Sequence, residues 1–472
     1  MKLWARIGGA LLGLVILLAP LGAGAAAPQL NLQQLVSMAL AFSPEVRATK
    51  SDVKLAEEEK NEAHGYRFPQ FDATGVGGVV ANARHLPEIV PQPGISRLFF
   101  RDPADKVHGV NIFGRLDLSV VQPLYTFGKI AFRERAAEKN VKVKEAAVDA
   151  KKGEVIFQVS QAYYGLILSE QGKDAVKDAR SYLNDTRERL NRLLAVKATS
   201  VREEDRYRLA AYDGAVDKFA GEAEEGAKVA YTALKALTGQ GPGQEFTVPP
   251  ELPNPTPPAA LDTYVRTALE LRPEFTQLKE GLVARQLLVD AAKADRYPSF
   301  FLAVIGALSG APGRKYNPDP WANNYFNDHY ALPVVGVKWH YDFGILKAKV
   351  GQAQAELEKL QETQKTALLG IPVEVAQAHG KVAENYKASL GMEKAYINAR
   401  RWLITAFSSF DMGIGKMDEI FQAFERYGNF RGDYLMSLYQ YNLAVAQLDK
   451  ATGAYRRTLA SAEAPAPPPK AK

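Results

Sequence analysis

Residues 32–77 and 261–306 align without a gap at an offset of 229, with twelve identities in 46 positions. Among them are Pro44/Pro273, Glu45/Glu274, Arg67/Arg296, Pro69/Pro298, Phe71/Phe300 and Gly77/Gly306. A second register, at offset 216, pairs Tyr125-Thr126-Phe127-Gly128 with Tyr341-Asp342-Phe343-Gly344, and Val159, Gln161 and Ala162 with Val375, Gln377 and Ala378. Proline and glycine repeated at constant spacing mean repeated breaks and turns, so the chain must fold as one layout written twice. The offset falls by 13 between the blocks, which places extra length in the first copy, within 78–124. The expected division is a first repeat over 28–240, a Pro-rich extended linker over 241–260, a second repeat over 261–456 and a disordered tail over 457–472.

Each copy opens with helical pieces, 32–42 with 45–66 and 261–271 with 274–295, separated by Pro44 or Pro273. The period then changes to two. In Ile112–Val120, Ile112, Leu116, Leu118 and Val120 fall on one face and Arg115, Asp117 and Ser119 on the other. The second copy sets Val335, Val337, Trp339 and Tyr341 against Lys338, His340 and Asp342, and partner strands are expected near 68–80 and 298–309. Polar loops are expected at 81–110 and 310–332.

Two very long helices follow, 128–196 and 344–412, each about 100 Å long at 1.5 Å per residue. Apolar residues recur every seven: Val141, Val148, Val155, Ala162, Val176, Leu183 and Leu190, then Val375, Val382, Tyr396, Leu403 and Phe410. The return helices carry Leu209, Val216, Ala223, Ala230 and Leu237, and Ile420, Tyr427, Tyr434, Tyr441, Leu448 and Tyr455. A sustained heptad means coiled-coil packing. Gly370 and Pro372 are expected to kink the second long helix. The fold class is mainly α with a small β part. Opening and return helices, stacked end to end, nearly match one long helix, giving a rod of paired helices below a small sheet.

Composition narrows the function. There is no cysteine, which excludes disulfide scaffolds, thiolate metal sites and thiol nucleophiles. A net charge of +6 over 472 residues gives no ground for nucleic-acid binding. The histidines do not cluster, no phosphate loop or nucleophile elbow occurs, and Asp342-Phe343-Gly344 lacks the catalytic loop of a kinase. The chain is read as a non-enzyme with no cofactor or metal. Residues 1–27 form an expected signal peptide: Lys2 and Arg6, an apolar run over 7–21, and small-residue cleavage sites ending at Ala25 or Ala27. No later apolar run approaches 18 residues, so membrane helices are excluded, whereas alternating barrel strands are not. Four strands cannot close a barrel, for which about eight are needed, and open edges are not tolerated in lipid. A homo-oligomer sharing one barrel in lipid is therefore expected. A secreted coiled-coil spacer or adaptor without a pore is the alternative.

Four features, the duplication and three stretches in this order, resemble those of the TolC-type outer-membrane efflux proteins. They are the doubled layout, Gln122-Pro123-Leu124-Tyr125-Thr126-Phe127-Gly128, Asp411-Met412-Gly413-Ile414-Gly415, and Tyr441-Asn442-Leu443-Ala444 with Leu448 and Ala451-Thr452-Gly453. The resemblance implies a homotrimer with a twelve-strand barrel continuous with a twelve-helix tunnel. It also implies a Gram-negative outer membrane, a large periplasmic portion, a periplasmic adaptor (membrane fusion) protein and, indirectly, an inner-membrane pump, in efflux or type I secretion. It places a periplasmic aperture at Asp411, Lys416, Asp418 and Glu419. Glu419 matches the upper acid of the family, Gln422 stands where a lower acid would be, and Lys416 is a candidate latch partner. Phe410 and Gly415 replace the family's aromatic and arginine latch. Adaptor-contact tips fall at Val196, Lys197 and Ala198, which lack the usual glycine, and at Gly413, Ile414 and Gly415. Pro123, Gly128 and Gly344 mark the passage from strand to helix. Like charges grouped around an axis favour cations and raise carboxyl pKa values.

Overall fold

The computed structural model describes residues 27–81, 109–198, 200–241, 243–312, 314, 316, 321, 324–457 and 459. The expected signal peptide, except Ala27, the expected loop between the first two strands and the Ala/Pro/Lys tail after 460 lie outside the described residues.

Six elements run α1 (Leu32–Phe42), α2 (Pro44–Gly65), β1 (Gln70–Ala81), β2 (Val110–Tyr125), α3 (Lys129–Ala195) and α4 (Glu204–Thr238). Six more follow in the same order: α5 (Leu261–Leu271), α6 (Pro273–Ala294), β3 (Ser299–Gly310), β4 (His329–Lys338), α7 (Ile345–Asp411) and α8 (Met417–Thr452). Both long helices have 67 residues. Pro44 and Pro273 each take the first helical position of α2 or α6, where a missing N–H costs nothing. Helix α7 continues through Pro372, beside exposed Leu368 and Leu369.

The strands form one antiparallel sheet in the order β1-β2-β3-β4. One correction concerns β4: it starts at His329 and ends at Lys338, so Trp339, His340, Tyr341 and Asp342 lie beyond it. Asp342 instead caps α7, its Oδ1 accepting from the Leu346 and Gly344 backbone N–H groups at 2.8 and 3.1 Å.

Ion pairs show the end-to-end stacking. Along α3, Glu134 meets His64 and Arg67 at the end of α2, and Lys151 meets Glu45 at its start. Further down, Arg180 and Arg187 of α3 meet Asp217 and Asp213 of α4. In the second half, α6 covers the upper part of α7 and α8 the lower part. The order across the upper layer is α2-α3-α6-α7, and across the lower layer α4-α3-α8-α7.

The core is a set of seams rather than a ball. Val141, Val148, Val155, Leu183, Leu190, Val375, Val382, Leu403 and Phe410 are buried, as the heptads predict. In upper α4 the deeper positions are the alternating ones, Ala220, Ala227 and Leu234, with Ala223, Ala230 and Leu237 at the margin. The stretch 241–260 is not a free linker. Phe246 and Leu252 are buried, and the Phe246 ring stacks on Tyr231 at 4.8 Å. Tyr441 Oη donates to the Thr256 carbonyl at 2.8 Å, and Asn442 Nδ2 donates to the Pro253 carbonyl at 3.1 Å. Gln29 also bridges to Thr247, so this stretch forms a belt across the middle of the rod.

Candidate functional site

The sheet separates its two faces by chemistry. Paired residues in an antiparallel ladder share a face. Phe71/Val120, Ala73/Leu118, Gly75/Leu116 and Val79/Ile112 continue into Leu116/Leu308, Val120/Val304, Leu302/Val335 and Phe300/Val337. This face is apolar and open: Val79 and Val335 are each 74% exposed and Ile112 is 69% exposed. The other face carries Asp72/Ser119, Thr74/Asp117 and Arg115/Ser309 over β1 and β2, then Ala303, Ile305, Ala307 and Tyr330. A strand of 12 residues is about 40 Å long and spans about 30 Å when tilted by about 40°, enough to cross a hydrocarbon layer.

Aromatic side chains gather where strands meet helices. Phe127 lies 5.1 Å from Tyr297 and 4.7 Å from Tyr125, centroid to centroid. Trp339 Nε1 donates to the Arg296 carbonyl at 3.1 Å, and Tyr341 pairs with the exposed Phe343. Amphipathic rings at one level suit a membrane–water boundary.

The two passages from strand to helix differ, contrary to their matched sequence. Gly128 is left-handed at φ +88°, whereas Gly344 is extended at φ −175°. Pro123 sits at a register shift in β2 before Tyr125, where its missing N–H is tolerated.

At the far end, the two hairpins are joined by arginines that the sequence reading did not single out. Arg189 of α3 grips Asp411 of α7 with two bonds, Nε to Oδ1 at 2.9 Å and Nη2 to Oδ2 at 3.1 Å. Arg208 of α4 donates to Asp418 of α8 at 2.6 Å and lies 4.9 Å from the Phe421 ring centroid. Gln422 Nε2 donates to the other Asp418 oxygen at 2.6 Å. Arg431 of α8 pairs with Asp178 of α3 and donates to Tyr427 Oη at 2.8 Å. The hydrogen bond from Arg189 holds the Asp411 carboxyl below the usual carboxylate range, and that from Arg208 does the same for Asp418. Within one protomer this is the reverse of the upward shift expected for grouped acids. Glu419 is exposed in the first turn of α8, and Lys416 precedes that helix as its N-cap. Among the described residues of one protomer neither has an ion-pair partner within 4 Å, the Asp411 and Asp418 carboxylates being taken by Arg189 and Arg208.

Both tips use the same turn. After α3, the N–H groups of Lys197 and Ala198 donate to the carbonyls of Leu194 and Leu193; after α7, those of Gly413 and Ile414 donate to Phe410 and Ser409. Each is a Schellman turn with its pivot left-handed, at φ +52° for Lys197 and +79° for Gly413. A lysine therefore performs the turn that a glycine performs in the second copy. Lys197→Gly should stabilise the first tip by about 1 kcal/mol, and Gly413→Lys should destabilise the second by about as much. The midpoint of thermal unfolding checks both. Val196, Met412 and Ile414 project at these tips, with Val196 72% and Ile414 77% exposed.

The fold is that of outer-membrane channels built from a small sheet and long helical hairpins. The CmeC outer membrane channel of Campylobacter jejuni superposes with a TM-score of 0.69 at 17% identity, covering 92% of this chain and 89% of that one. The outer membrane protein VceC of Vibrio cholerae gives 0.70 at 18%, covering 89% and 96%. The MtrE outer membrane channel of Neisseria gonorrhoeae, in its open state, gives 0.67 at 17%, covering 89% and 88%. No protein-family model matches the sequence, and no curated protein matches it.

Proposed function

We propose that three copies of this chain form a TolC-type channel-tunnel in the outer membrane of a Gram-negative bacterium, serving efflux or type I secretion. The observation that carries this reading is the open four-strand sheet with one apolar face, standing on helical layers that are also four wide. Because the number of strands is even, β4 of one copy runs antiparallel to β1 of the next, and identical copies continue the ladder without a clash. Two copies would give eight strands, an interior filled by side chains, whereas three give twelve and leave a bore. The helical layers support the same joint. They end at α2 and α7 above and at α4 and α7 below, and α4 and α7 present exposed Tyr207, Val229, Ile397, Trp402 and Ile404.

In this reading residues 1–27 direct export and are removed, and the duplicated halves 28–240 and 261–456 each supply two strands and one hairpin. The tips with Val196, Lys197, Ala198, Gly413, Ile414 and Gly415 meet a periplasmic adaptor, which links them to an inner-membrane pump. Asp411, Lys416, Asp418 and Glu419 surround the narrow end. The protein transports passively and uses no cofactor. The full chain, extracted from membranes, should need detergent, run as a heat-sensitive trimer and conduct in planar bilayers. A protein that is soluble and monomeric without detergent, and silent in bilayers, would overturn the reading in favour of a pore-less spacer.

A further inference from the structure

Just before β4, in the segment that joins it to β3, Tyr325 and Phe326 lie on the polar face of β2, near the end of that strand farthest from the helices. Arg115 is the fixed point. Its Nε donates to both carboxylate oxygens of Asp117 at 2.9 Å, and its Nη2 to Oδ1 at 2.6 Å. The remaining arm, Nη1, donates to the Tyr325 carbonyl at 3.0 Å, and the guanidinium lies 4.5 Å from the Tyr325 ring centroid. The Arg115 side chain is only 10% exposed. Beside it, Phe326 meets Phe113 edge-to-face at 4.9 Å, and Arg314 covers the same Phe326 ring at 4.5 Å. The base of the segment is also fastened, since Ser309 N and the Asp328 carbonyl bond at 2.7 Å.

A loop free to stand in solvent has no reason to bury an arginine against a strand. One arginine with its donors divided between a strand carboxylate and a loop carbonyl ties the two together in a fixed geometry. We infer that Tyr325–Asp328 is a strap, pinned by Arg115 across the inner face of the sheet, and that it narrows the outer mouth of the pore. The inference rests on the trimeric channel reading, which turns the polar face inward. Three straps then set a size limit at the mouth, separate from the closure at the helical tips.

The absence of native cysteine makes the test direct. Ser119→Cys places a thiol on the same face as Arg115, deeper toward the helices. Cells are treated from outside with a small charged methanethiosulfonate and, separately, with a maleimide on a bulky polymer. The small reagent should label Ser119→Cys in every background. The bulky one should label it slowly when the strap is intact, and roughly tenfold faster with Arg115→Ala, the scale expected when charge-assisted hydrogen bonds and a cation–π contact are lost together. Arg115→Lys, which keeps the charge without the fork, should fall between. Phe326→Ala leaves the Arg115–Asp117 pair in the strand and should also speed labelling, so the test survives a folding defect in Arg115→Ala. A heat-sensitive, conducting trimer whose bulky-reagent labelling is the same in all four backgrounds overturns the strap and leaves the pore standing. A protein that neither trimerises nor conducts overturns the pore, and the strap with it.

Discussion

Replacing Arg189 and Arg208 together by alanine should raise the conductance of the reconstituted channel by about an order of magnitude. These residues tie α3 to Asp411 on α7 and α4 to Asp418 on α8, so they join the two hairpins where a tunnel of such hairpins would close. Both carboxylates are about half exposed, so each clamp is individually modest, and the effect should come from losing both in all copies at once. Swapping the charges tests the pairing itself. Arg208→Asp alone should open the tip, and Arg208→Asp with Asp418→Arg should close it again. Acid should act through the same groups. The arginines hold Asp411 and Asp418 below the ordinary carboxylate range, so the clamps persist as pH falls through that range and are lost only below it. Conductance should therefore stay level through the normal aspartate titration and rise only at lower pH, a rise absent from the alanine pair. Glu419→Ala should change ion preference and leave closure intact. Conductance unchanged in the alanine pair would remove the clamps from any account of closure.

The largest expected effect on stability lies far from either end. Gly453 terminates α8 at φ +72°, where a side chain would strain the backbone, and a Cβ there would come within 2.9 Å of the Leu271 carbonyl oxygen and 3.1 Å of Arg272 Cα. These neighbours are backbone at the α5–α6 corner, which is itself held by the bond from Arg456 to the Leu271 carbonyl at 2.9 Å. Gly453→Ala should cost about 2–4 kcal/mol, read as a lower midpoint of thermal unfolding. Gly239 ends α4 in the same left-handed state, but the atoms nearest its Cβ would be those of the Phe42 ring, a side chain that is partly exposed and can swing aside. Gly239→Ala should cost about 1–2 kcal/mol. Equal losses at the two sites would contradict the argument from backbone crowding.

Much of this architecture is legible in the sequence because it is periodic. Helix ends at Pro44 and Pro273, strand faces in Ile112–Val120 and seams at Val155, Leu183 and Leu403 follow from spacing alone, and the structure places them accordingly. What the sequence hides is long-range. Arg189 and Asp411 are 222 positions apart, and nothing local distinguishes Arg189 from the other arginines on the same helix. The sheet gives a similar lesson, since Arg115 reads as an ordinary polar-face residue until Tyr325 returns to cover it. Among the prolines of 241–260, two isolated apolar residues, Phe246 and Leu252, are the signal that this stretch packs rather than links. The late end assigned to β4 came from the aromatic alternation of Trp339 and Tyr341, which serves a boundary between sheet and helices, not a ladder.

The two borders of the sheet are unlike each other, and this governs how such a protein could be built up. In the proposed ring, with every copy upright and its apolar face outward, a border of β4 meets a border of β1, so the joint is head-to-tail and has a direction. One subunit, or any arc of copies that has not closed on itself, still offers an unsatisfied strand at each extremity, and hydrocarbon tolerates neither. Partial assemblies then remain adhesive until the circle closes, which makes insertion all-or-none and leaves little room for a stable half-built intermediate.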